Sequence, residues 1–320
     1  MANVNRTRRS LLAAAGASVS AAVLSACGSS TVESAITPSR FISFGDGFSD
    51  VGQSGTRYTV NDDTVNIWAQ EVASSYGGTL TAVSAGGYGY AVAHARVTNT
   101  TNAIGTANAG SITTQIDTFL ASNTPTSNDL YLVEGGYGDI VAEYASYAAG
   151  TTTQAQAQTN LATAGTELAA QVKRLITAGA KYVLVTGVYD LSVSPWAESL
   201  SLTSLFSSLS SSFNNALLVA LNDLTGTNVL YVDAAYYFNL FHNSGSSYGF
   251  SDVDTPVCIS TDAGSGIGAG EVNSGLCTTS TLISGVTDYS VYLFADKLYP
   301  TPSAHRQYGV YVYDRLRARW

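Results

Sequence analysis

The chain has 320 residues, a net charge of −9 and a pI near 4.6. Only 12 % of its residues are charged, and the acidic balance argues against nucleic acid as a partner, because phosphate binding needs clustered Lys and Arg. The remainder, rich in Ser, Thr, Gly and Tyr, has the length of one large α/β domain, with no long linker and no second composition regime.

The first element is a targeting segment, residues 1–27. Arg6, Arg8 and Arg9 make a positive start, and Leu11 to Leu24 is an apolar stretch too short to span a bilayer. Leu24-Ser25-Ala26-Cys27 resembles a bacterial lipobox, which would make Cys27 the lipidated first residue of an exported lipoprotein. A plain secretory signal with a coincidental cysteine is the alternative. Gly28, not Asp, follows the cysteine, which points to the outer membrane. Thr7 to Leu12 faintly resembles a twin-arginine signal and leaves the export route open. Residues 28–38 read as a flexible tether, so the expected partner is a membrane, reached through an N-terminal lipid anchor. Residues 39–320 form the expected single domain.

Phe41–Phe44 reads as a strand running into a tight turn and a helix start. Thr64–Tyr76 reads as a helix with Val65, Trp68, Ala69 and Val72 on one face, and Thr79–Ser84 as a second strand. A helix over Ile112–Leu120 precedes an apolar strand, Asp129–Val133, which leads into Gly135-Gly136-Tyr137-Gly138-Asp139. Leu161, Leu168, Val172, Leu175 and Ile176 make the stripe of a long helix, Gln156–Ala178, with Gly179 at its end. Lys181–Gly187 is a continuously apolar strand, as in a sheet buried on both faces. Leu205–Leu221 (helix), Asn228–Val232 (strand), Ala234–His242 (helix) and Ser303–Arg317 (helix) complete the pattern. Alternating strands and helices predict right-handed crossovers, a mostly parallel sheet and helices on both faces. Ligands of such sheets sit at the carboxyl ends of the strands.

With Cys27 set aside, Cys258 and Cys277 remain, flanking a Gly-rich loop (Asp262 to Ser274). A disulfide closing it would contribute about 3 kcal/mol; free thiols are the alternative. No His or Cys pair has zinc-ligand spacing, so neither metal nor cofactor is expected.

Four blocks carry a resemblance. Gly45-Asp46-Gly47-Phe48-Ser49-Asp50-Val51-Gly52 resembles the GDSLSDVG opening of the SGNH/GDSL ester hydrolases. Gly89-Tyr90-Ala91-Val92-Ala93-His94-Ala95-Arg96-Val97 is similar to NYAVGGARV. Gly136 to Asp139 stands where the family has GxND, and Asp296-Lys297-Leu298-Tyr299-Pro300-Thr301 where it has DxxHPT. The resemblance runs from Phe41 to the C-terminus and implies a three-layer, flavodoxin-like SGNH-hydrolase fold. It also implies where an ester-hydrolysing site would lie. The nucleophile position is Gly47, which has no side chain to attack a carbonyl. The oxyanion positions are His94 and Gly138, and the base position is Tyr299, a poor base at neutral pH. Asp296 keeps the position that would orient the base.

Ser49 and His305 are the nearest candidate substitutes, with Ser49 expected to cap a helix. Tyr88, Tyr90 and Tyr137 are candidate lining of a cleft for a glycan, acyl or ester ligand, although a tyrosine-rich chain would place tyrosines there by drift as well. His242 is expected on a surface helix. Two readings result. One is a non-catalytic lipoprotein of SGNH/GDSL type at the cell envelope that binds a ligand or partner. The other is an esterase, lipase or acyl-transfer enzyme with a relocated site.

Overall fold

The chain divides after Ser34 into two units, residues 1–34 and Ala35–Trp320. The computed structural model describes residues 33–320 apart from 63, 225, 262–266 and 268–270. The expected targeting segment, Cys27 and the first part of the expected tether lie outside the described residues. The second unit holds every element named below.

Four strands make one parallel sheet in chain order: β1 (Arg40–Phe44), β2 (Asp129–Glu134), β3 (Tyr182–Thr186) and β4 (Val229–Tyr231). The register sets Ile42 beside Tyr131 and Leu132 beside Leu184. β2 is buried along its whole length, as its apolar run requires. The strand expected over Thr79–Ser84 does not form. Its polar residues give way to a short 3₁₀ turn, Val83–Ala85. The edge beside β1 is taken by residues 88–92 instead, where Tyr90 N–H donates to Ser43 O and Ser43 N–H to Tyr88 O. This outer segment precedes β2 in the chain, so the arrangement across the sheet is the flavodoxin-like one.

Helices cover both faces. The principal ones are α1 (Trp68–Ser75), α2 (Ile112–Ser122), α3 (Tyr137–Ala148), α4 (Gln154–Thr177), α5 (Pro195–Leu200), α6 (Thr203–Leu221), α7 (Ala234–Asn243) and α8 (Pro302–Arg319). Alternate residues of β1 meet opposite layers: Phe44 packs on Phe119 of α2, and Phe41 on Tyr76 beside α1. α2 and α6 pack on α4, and α8 packs on α1. Helix starts follow their caps. Thr153 accepts the N–H of Gln156 at the head of α4, and Thr301 that of Ala304 ahead of Pro302 in α8.

Three differences from the sequence-based expectation bear on the site. No helix begins in residues 45–52, which form turns. α1 starts at Trp68, after an irregular run from Thr64. α3 starts at Tyr137, directly after the glycine pair, where the motif hides the periodicity.

Cys258 and Cys277 are joined by a disulfide, with Cα atoms 5.9 Å apart. Both sulfurs sit in a small apolar cluster with Val60, Val257 and Ala295, separate from the main core. The bond joins the two ends of the 258–277 stretch, and the Cys258 N–H donates to Ala295 O at 2.9 Å in the segment before α8.

Candidate functional site

The four blocks converge at the carboxyl ends of β1 and β2. β1 runs out into Gly45, whose N–H and C=O are both held by the Gln115 amide: Gly45 N–H donates to Oε1 at 2.9 Å and Nε2 donates to Gly45 O at 2.8 Å. The next turn wraps a buried carboxyl. Glu134, the last residue of β2, accepts the Asp46 N–H at 3.2 Å and the Ser49 hydroxyl at 2.8 Å on the same oxygen. Asp46 in turn accepts the N–H groups of Phe48 and Gly138. Asp46 thus stitches the first block to the start of α3.

Both acids are buried, and among the described residues no cation pairs with either. Burial pushes Asp46 up to about 7 against the pull of the Gly138 and Phe48 N–H groups, with the charge of Asp139 adding to the rise. Burial, then the charge of Asp46, holds Glu134 well above the carboxylate range. Asp139 accepts the Val97 N–H at 2.9 Å and faces Arg96 at 3.1 Å. Burial lifts it to about 6 despite Arg96. Asp46, Asp139 and Asp50 all serve the backbone, Asp50 accepting from Gly52, Gln53 and Ala93.

At the position given to the nucleophile, the space a side chain would enter is occupied. A Cβ built on Gly47 would stand 2.5 Å from the Tyr299 hydroxyl and 2.8 Å from its Cζ. Tyr299 is 3 % exposed. Burial, and then the nearby charge of Asp46, keep its phenol protonated far above neutral pH, so it is neither a base nor a nucleophile. Asp296 does not reach its hydroxyl. That carboxylate is spent on the N–H groups of Leu298 (2.8 Å), Tyr299 (2.6 Å) and Ser274 (3.1 Å). It shapes the turn that aims Tyr299 at Gly47.

The oxyanion positions are closed as well. Gly138 lies in the first turn of α3, and a Cβ there would overlap the carbonyl oxygen of Ala95 and come within 3.1 Å of His94 O. An asparagine side chain has no room on this backbone. His94 adopts φ +62°, a conformation that suits glycine. Its Nε2 lies 3.2 Å from the Tyr58 hydroxyl, and the Tyr58 ring packs on Tyr299 at 5.2 Å. Tyr58 thus joins His94 to Tyr299, the ring that lies over Gly47.

The candidate substitutes are engaged elsewhere. Ser49 is buried, donates to Glu134 and accepts the indole N–H of Trp68 at 3.1 Å. It caps no helix, because none starts there. His305 is buried in α8 against Phe48. Its Nδ1 faces the Trp68 N–H at 3.5 Å, and burial pushes its pKa down to about 3. It is a neutral core residue, not a base.

Tyr88, Tyr90 and Tyr137 do not form the expected cleft. Tyr137 has no exposed surface: its ring stacks on Phe48 at 5.2 Å and its hydroxyl accepts the Tyr189 N–H at 3.0 Å. Tyr88 and Tyr90 turn to the other end of β1. Arg40 lies over the Tyr88 ring, and the Tyr90 hydroxyl accepts from Asn123. These three tyrosines do not line one site. Sequence reasoning missed Glu134, Gln115 and Tyr58. Only Glu134 left a trace, as an acid at the end of an apolar strand.

A hollow of about 450 Å³ opens beside the first block, lined by Val51, Gly52, Thr56, Arg57, Asn61 and Gln70, among others.

No protein-family model matches the chain, and no curated protein matches it. Among solved structures, the chain is similar to Est24, a carbohydrate acetylesterase from Sinorhizobium meliloti, at 14 % identity and a TM-score of 0.47 over 88 % of this chain and 99 % of that one. It is likewise similar to an aryl esterase of M. smegmatis, at 16 % identity and a TM-score of 0.48 over the same shares.

Proposed function

We propose that this chain is a non-catalytic protein of SGNH/GDSL type, anchored in the bacterial cell envelope by lipid on Cys27, that acts by binding a ligand or partner. The observation that carries the reading is the contact between Gly47 and Tyr299. The residue at the base position fills the volume that a nucleophilic side chain would need. Loss of a triad member from a serine hydrolase costs several orders of magnitude in kcat. Here the nucleophile, the base and the side-chain oxyanion donor are all absent by residue type, and two of the positions are closed, Gly47 by the Tyr299 side chain and Gly138 by the Ala95 backbone. The relocated-site reading finds no support in Ser49 or His305, which are buried and committed to other bonds.

The hollow beside the first block is the better place for a ligand than the tyrosines. Thr56, Arg57, Asn61, Gln70 and Thr278 give it a polar lining, which favours a glycan over an acyl chain. The test is hydrolysis of short and medium p-nitrophenyl esters by the purified protein. We expect no turnover above background. Turnover that disappears in Ser49→Ala or His94→Ala would overturn the reading in favour of a relocated active site.

A further inference from the structure

Away from the closed site, three side chains from three segments point at one another. Glu198 lies in α5, His242 in the last turn of α7, and Asp254 in the loop before the disulfide. One ligand atom of each falls within 4.8 Å of the other two. His242 Nε2 meets Asp254 Oδ1 at 3.0 Å. Glu198 joins them without any side-chain hydrogen bond or ion pair of its own among the described residues. An imidazole–carboxylate ion pair needs one carboxylate. The second adds like charge to the cluster, which then stays net negative whichever form the imidazole takes.

We propose that Glu198, His242 and Asp254 form a binding site for a divalent transition-metal ion of the zinc class. One imidazole nitrogen with two carboxylate oxygens is a donor set that suits zinc, whereas calcium and magnesium favour oxygen alone. Three protein ligands leave a fourth tetrahedral position for water or a ligand group. The segments are already held in place. The Asp252 carboxylate accepts the N–H groups of Asp254 (3.2 Å) and Thr255 (2.8 Å). Ser194 caps α5, and Trp196 N–H donates to Lys297 O at 3.0 Å. Leu293 N–H donates to Asp252 O at 2.9 Å. Two of the ligands therefore ride on segments bonded to the 293–297 stretch that leads to Tyr299. An ion here would brace the stretch that carries Tyr299 to Gly47.

The test is isothermal titration of the full chain with Zn²⁺, with Ca²⁺ and Mg²⁺ in parallel, and thermal melts with and without Zn²⁺. We expect one Zn²⁺ per chain, no comparable Ca²⁺ or Mg²⁺ binding, and a higher melting temperature with the ion. His242→Ala, Glu198→Gln and Asp254→Asn each weaken binding by about tenfold or more, and lose the Zn²⁺-dependent rise in melting temperature. The apo melts of Glu198→Gln and Asp254→Asn match wild type, because both side chains are exposed. The absence of a saturable Zn²⁺ site, or a site undiminished in any one of the three variants, would overturn the proposal.

Discussion

The Tyr299 hydroxyl occupies the space in front of Gly47: a Cβ added at Gly47 would approach it to 2.5 Å. Each residue is the condition for the other, since Tyr299 is buried there only because position 47 has no side chain. Gly47→Ala is therefore an overpacking substitution and should destabilise the protein by roughly 1–3 kcal/mol. In Tyr299→His the shorter ring withdraws from this space, so the double variant should be more stable than the sum of the single changes by about 0.5 kcal/mol or more. Urea denaturation of the four proteins gives the cycle, and strict additivity would show that the two positions do not compete for one volume.

Gly138 is a different kind of obstacle. A Cβ there meets the carbonyl of Ala95, which is backbone and cannot rotate aside as a side chain can. Gly138→Ala should cost about 3 kcal/mol or more, and Gly138→Asn no less. Tyr299→His should not rescue either variant. A melting temperature for Gly138→Ala close to that of wild type would mean that the 93–95 segment is free to withdraw.

Burial of Asp46, Asp139 and Glu134, with Arg96 beside Asp139 alone, gives stability a definite pH dependence. Each acid binds its proton more tightly folded than unfolded, so the folded state carries the extra protons. Stability should fall as pH rises from the ordinary aspartate value of 3.8 to about 6 for Asp139 and about 7 for Asp46. The loss is at most roughly 1.4 kcal/mol per pH unit for each extra proton. Glu134, which burial and the charge of Asp46 raise well above its ordinary value of 4.5, adds to the loss as pH rises. Glu134→Gln keeps an acceptor for Ser49 and the Asp46 N–H while removing the charge, so its stability curve should be flatter and lie above wild type at pH 8. Chemical denaturation across pH 4–8 checks this. Parallel curves for the two proteins would show that Glu134 binds its proton no more tightly in the folded state than in the unfolded one.

The disulfide closes a separation of 19 residues. Cys258→Ser/Cys277→Ser should cost about 3 kcal/mol by loop-closure entropy. It should also loosen the Ser274 N–H bond to Asp296 and the Asn61 bonds to the carbonyls of Ser274 and Cys277. Urea midpoints of the oxidised protein and the double variant, at equal slope, measure the first effect. Faster amide exchange at Ser274 in the variant would report the second.

Much of this architecture is legible in the chain itself, because periodicity and local chemistry are properties of neighbouring residues. The apolar run before Gly187 and the stripe from Leu161 to Ile176 name their elements without help from the rest of the fold. Thr79–Ser84 misleads because a strand's existence depends on a partner, and residues 88–92 took the place beside β1. α3 was hidden for a related reason, its first turn carrying the residues of a motif.

At the site, the sequence by itself determined which chemical groups are missing: a glycine at 47, a glycine at 138 and a tyrosine at 299 cannot supply a hydroxyl nucleophile, an amide donor or an imidazole. Only the tertiary structure decided what fills their places. Whether Tyr299 lines an open cleft or blocks Gly47 depends on the turn held by Asp296. Whether Ser49 is a nucleophile or a structural bond depends on Glu134, 85 residues away. Excluded volume and burial are set by contacts between distant segments, and no local pattern encodes them.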